Sequence, residues 1–87
     1  MNSQRLENLG LLQTKKQHAQ VLVLKLKSLR ESIHRAANPY KPLADLDPEV
    51  LMVAAKDLWE TWDQYQRLVK ELRALCAELG EPVPVFE

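Results

Sequence analysis

The stretch Glu31-Ser32-Ile33-His34 sets a carboxylate and an imidazole three residues apart, the spacing at which both can hold one metal ion from a single helix face. Carboxylate-bridged two-metal bundles need two such pairs and two further glutamates. A symmetric dimer would double the motif, but the facing stretch Val50–Ala54 offers no glutamate. Ile33 takes the core phase, so Glu31 and His34 flank it, and His34 and Arg35 are read as favouring the negative end of a helix dipole. No metal and no other cofactor is expected. His18 has no serine, cysteine or aspartate at a telling separation and reads as a solvated helix residue. Cys76, the sole cysteine, falls among apolar residues and reads as a small buried thiol. Gly10 and Gly80, the only glycines, make no phosphate-binding loop. Acid, base and nucleophile converge nowhere, which points away from catalysis.

Trp59, Trp62 and Tyr65 have faces on which bases could stack. Asp57, Glu60 and Asp63 surround them in the sequence and would repel phosphate, so the aromatic residues are read as core and interface anchors. Lys15, Lys16, Lys25 and Lys27 leave one nucleic-acid alternative, through a basic first helix. Residues 1–37 hold seven basic and two acidic side chains, a net +5, while residues 38–87 hold five basic and ten acidic, a net −5. Two opposite halves of equal size are expected to complement each other, setting orientation more than stability, because an exposed pair contributes only ~0.2–1 kcal/mol.

The elements that must position these residues follow from local chemistry. Asp47-Pro48-Glu49 supplies an N-cap carboxylate, a proline at the first helical position and an acid in the first turn. From there Leu51, Ala55, Leu58, Trp62, Tyr65, Val69, Leu72, Cys76 and Leu79 recur at spacings of four and three, with Leu68 and Leu75 widening one flank. Gly80, Pro82 and Pro84 stop the helix. A helix is therefore predicted over about 48–79. Upstream, Ala19, Leu22, Leu26, Leu29, Ile33 and Ala36 follow the same rhythm, preceded by Leu6, Leu9 and Leu12 and a polar window at 13–17. Asn38-Pro39 ends that run, since a residue before proline avoids the helical region. A first helix is predicted over about 3–37.

Eighty-seven residues make one domain. The two helices, joined by residues 38–47, are expected to fold back as an all-α antiparallel hairpin with Leu6 near Leu79 and Leu9 near Cys76. Tyr40, Leu43 and Leu46 are expected to cap the core at the turn. Residues 80–87 form a tail that either docks as an extended strap through Phe86 or stays loose. A lone thiol, no signal-peptide pattern and no apolar run near the ~20 residues that span a bilayer lead to the expectation of a cytoplasmic chain without membrane contact.

The stretch Asp47–Leu68, "DPEVLMVAAKDLWETWDQYQRL", resembles the second helix of the small sporulation-regulator aspartyl-phosphate phosphatases, and "SLRESI" is similar to that family's first helix. Together the likeness covers about residues 22–70. It implies a helical hairpin that removes phosphate from a phosphorylated response-regulator receiver domain. The family signature Ser-Gln-x-Leu-Asp meets Ala55-Lys56-Asp57-Leu58-Trp59 here. Only Leu58 is retained, and Trp59 stands where the resemblance implies an essential acid, so no catalytic residue carries over.

The apolar stripes are wider than one neighbouring helix can cover. Met52, Trp59, Trp62 and Tyr65 on helix 2, with Val21 and Leu24 on helix 1, are the residues expected to meet a partner. The leading expectation is a non-enzymatic interaction or oligomerisation module that dimerises into a four-helix bundle. Another helical protein or a receiver domain is the alternative partner.

Overall fold

The computed structural model describes residues 2–86; Met1 and Glu87, the two ends of the predicted domain, lie outside the described residues. Two long helices, α1 (Asn2–Ala36) and α2 (Pro48–Leu79), pack side by side as a hairpin, and a single 3-10 turn, Leu43–Asp45, interrupts the connection. There is no strand among the described residues. The rod measures 64 × 19 × 15 Å. The all-α hairpin predicted from the two apolar rhythms is the architecture observed.

Local chemistry sets the helix ends. Asp47 adopts an extended backbone and its carboxylate accepts from the Val50 N–H at 3.2 Å, while Pro48 fills the position where no donor is needed. At the other end Gly80 takes the left-handed conformation, φ 66°, and its N–H turns back to the Cys76 carbonyl, which also accepts from Glu81 at 2.9 Å. The α1 helix closes with Ala37 N–H on the Ile33 carbonyl, after which the Asn38 side chain accepts from the Tyr40 N–H.

Two contacts pin the pairing of α1 with α2. The Arg5 guanidinium donates to the Leu79 carbonyl at 3.3 Å, satisfying a carbonyl at the negative end of α2. Lys15 crosses to Glu71 at 2.7 Å. Both fit a fold-back in which residue 6 lies opposite residue 79. Among the described residues Lys15–Glu71 is the one ion pair between the helices; Glu31–Arg35 and Asp63–Arg67 lie within α1 and α2. The opposite net charges of the two halves therefore meet directly at a single point.

The core is off-centre. Its buried members are Leu12, Ala19 and Leu22 from α1, facing Leu68, Leu72, Leu75, Cys76 and Leu79 from α2, all in the half remote from the loop. The polar window at 13–17 does not break it, because Lys15 lies half-buried with its stem along the seam and its ammonium on Glu71.

Three sequence expectations need correction. Leu6, expected to meet Leu79 in the seam, lies level with that buried residue but is itself 68% exposed, so its side chain adds little to the core. Tyr40 and Leu43, expected to cap the turn end, are 93% and 84% exposed, and Leu46 is exposed as well. Leu43–Asp45 wind into a tight turn and Pro39 and Pro42 hold the chain outward, so these side chains project from the elbow. Finally, Thr61 is buried at 2% exposure while Trp62, expected in the seam, is 46% exposed. The inward layers on α2 run through Leu51, Leu58, Tyr65, Leu72 and Leu79, as expected, but alternate with Ala54, Thr61, Leu68 and Leu75. Leu68 and Leu75 draw that flank inward, which carries Thr61 to the interior and Trp62 to the side.

Candidate functional site

The rotation that buries Thr61 turns Trp62 onto one flank of the hairpin. There it lines a groove of about 470 Å³ running between the helices. Val23 and Leu26 form the α1 wall, and Leu58, Trp62, Tyr65 and Val69 form the α2 wall. The indole of Trp62 and the phenol ring of Tyr65 lie 5.8 Å apart, tilted by 38°, within the range in which aromatic pairs attract. Phe86, from the tail, closes one end and packs against the core. The strap form of the tail is thus the one observed.

The electrostatics differ from what sequence proximity suggests. Asp57, Glu60 and Asp63 neighbour the tryptophans along the chain, yet none lines the groove. At about 100° per residue, Asp57 and Glu60 lie well over 90° round the helix from Trp62, and Asp63 is engaged by Arg67 at 2.9 Å. The charged residues that do line it are Lys27, Arg30 and Arg73, all basic. None of the three has an ion-pair partner among the described residues. Sequence reasoning did not bring this trio together; it places Val69 in the apolar seam and Phe86 as the anchor of a docking tail, with no groove for either to line. The usable signal was spacing: Val69 and Arg73 follow Trp62 and Tyr65 at helical intervals on the same flank.

The residues predicted to meet a partner separate into groups. Trp62 and Tyr65 share the groove. Trp59, 66% exposed, sits beside Trp62 in a shallow apolar patch completed by Ala55 and Leu58. Met52 is exposed two turns before Trp59, extending the same stripe toward the loop. Leu24 lies across on α1, next to Val85 and Phe86. Val21 is exposed on the outside of α1 and lines none of these hollows.

Other candidates are placed as follows. Glu31 is held by Arg35 and His34 is exposed, and no cluster of three metal-ligating side chains exists among the described residues. Cys76 is buried. Lys15 is committed to Glu71, and Lys25 lies about 200° round α1 from Lys27, so these lysines do not line up along one channel. In the stretch that resembles the phosphatase signature, Leu58 lines the groove and Trp59 is exposed beside it. No helix among the described residues is long and apolar enough to cross a membrane.

Comparison with models of protein families, with characterised proteins and with solved structures yields no match to this chain.

Proposed function

We propose that this chain is a non-enzymatic interaction module whose hairpin pairs with a second copy to complete a four-helix bundle. One observation carries the proposal: toward the elbow the buried positions of α2 end at Thr61, and beyond it Val50, Met52, Val53 and Trp59 are exposed while Leu51 and Leu58 are only half-buried. Met52, Ala55, Trp59 and Trp62 follow one another at helical spacing, so they form a continuous ridge rather than scattered contacts.

The dimensions support the same reading. A compact protein of 10.0 kDa exposes about 5,200 Å², whereas this chain exposes 6860 Å². Its radius of gyration is 18.0 Å, against about 12 Å for a compact chain of this length. A standard interface takes about 800 Å² from each partner, which the surplus supplies with room to spare. Two copies related by a twofold axis would set the Met52–Trp62 ridges against each other near the elbow, giving the loop-side half the buried layer it lacks.

Sedimentation equilibrium on the parent chain is expected to return a dimer, and Trp59→Glu is expected to return a monomer that keeps its helicity. A monomeric parent at concentrations of about 100 μM, weaker than interfaces of this class normally are, would rule the proposal out.

A second reading keeps the same shape and changes the partner: a receiver-domain binder that has lost hydrolysis. It is supported by the hairpin and by Leu58 lining the exposed face. A longer phosphate lifetime on a phosphorylated receiver domain in its presence would favour it; an unchanged lifetime together with no complex by gel filtration would remove it.

A further inference from the structure

We propose that the groove between α1 and α2 is a receptor for an extended acidic peptide with an aromatic anchor, and that the chain's own tail is its resident occupant. The walls are aliphatic and aromatic, and the charges on them among the described residues are Lys27, Arg30 and Arg73, with no acid. A volume of about 470 Å³ falls in the range of sites that accept a few side chains. Cations unpaired beside an apolar floor attract a segment that is apolar on one side and carboxylate-bearing on the other.

The tail supplies the aromatic anchor of such a segment. Residues 81–86 carry no helix or strand, and Pro82 and Pro84 hold them extended. Phe86 reaches back to the groove beside Val23, Lys27 and Val69, while Val83 and Val85 face outward. Only one end of the groove is occupied in this way. The Leu58–Trp62–Tyr65 end stays open and would take the remainder of a longer ligand.

A second copy's groove is the wrong occupant. A twofold contact sets a patch against itself, which here would oppose three cations with three cations. The fitting partner is therefore an acidic segment of another protein, competing with the tail for one site. This inference turns on Lys27, Arg73 and Phe86 and self-association on Met52 and Trp59; Trp62 belongs to both surfaces, and the charge reversals and Trp59→Glu test the two apart.

The test is fluorescence polarisation with a labelled synthetic peptide reproducing residues 80–87, Gly-Glu-Pro-Val-Pro-Val-Phe-Glu, titrated into the full chain. Phe86→Ala is expected to bind it at least about fivefold more tightly than the parent, because a tethered competitor at millimolar effective concentration has been weakened. Adding Lys27→Glu and Arg73→Glu to that variant is expected to weaken binding at least about tenfold, with helicity by circular dichroism unchanged. A peptide with alanine in place of its phenylalanine should not bind. The proposal is overturned by no polarisation change up to about 1 mM peptide, the affinity floor of a useful contact, or by binding indifferent to the charge reversals. It is equally overturned if a single-stranded oligonucleotide or dodecanoate displaces the label at lower concentration than unlabelled peptide does. Sedimentation on the same samples separates the outcomes: lost peptide binding at unchanged mass indicts the groove alone.

Discussion

Lys15 and Glu71 show how a single pair can repair a weak place in a seam. The polar window at 13–17 interrupts the apolar rhythm, and Lys15 bridges it by laying its stem inward and its charge on Glu71. The Lys15 hydrogen bond, reinforced by its charge, holds the Glu71 carboxyl below its ordinary 4.5. A carboxylate lowered in the folded state contributes stability above its unfolded value and loses it as pH falls through the folded one. Lys15→Met is therefore expected to reduce melting temperature at neutral pH and to converge with the parent as pH drops below the ordinary glutamate range. Parallel melting curves at every pH would show that the pair contributes nothing. A deeper effect belongs to Leu72, 1% exposed at the centre of the core. Leu72→Ala should cost about 2–5 kcal/mol in urea unfolding, and Leu51→Ala, half-buried near the elbow, clearly less.

At the scale of the helices, the ends are chemically defined and the middle is shared. Asp47 supplies the side-chain cap on the first turn of α2, so Asp47→Ala should cost about 0.5–2 kcal/mol. Gly80 holds a left-handed backbone with open space where a Cβ would go. Gly80→Ala should then destabilise by about 1 kcal/mol through backbone strain alone, with no clash to relieve. Chemical denaturation of the two variants checks both figures. Because the caps act within α2 and the core lies at its far end, hydrogen exchange in a monomeric variant should be faster over residues 48–58 than over 65–79. The difference is expected to shrink in the parent if a second copy covers the elbow half.

For the whole molecule, the governing fact is asymmetry. One end of the rod holds the core and the other presents apolar side chains to solvent. A chain stabilised by association gains stability with its own concentration. The melting temperature is expected to climb as protein is raised about tenfold and to be flat for Trp59→Glu. A concentration-independent parent would place the exposed ridge outside any self-contact.

The amino-acid sequence alone determined the two helices, their ends and their fold-back. Caps, prolines and glycine act on backbone groups within a few residues, so Asp47-Pro48, Gly80 and Asn38-Pro39 could be read without knowing what lies across the chain. It also carried most of the buried surface, since Leu22, Leu72 and Leu79 repeat at helical spacing whatever their partner. Rotation about the helix axis was decided only by tertiary packing. A stripe wide enough to offer both Thr61 and Trp62 to the interior leaves the choice to the packing against α1, which buries Thr61 and leaves Trp62 at the side. The same packing brought Lys27, Arg30 and Arg73 onto one groove, whereas the angle between Trp62 and Asp57 or Glu60 is set by the helix itself. Residues adjacent in the chain point apart on a helix, and charges distant in the chain converge only when two helices lie together.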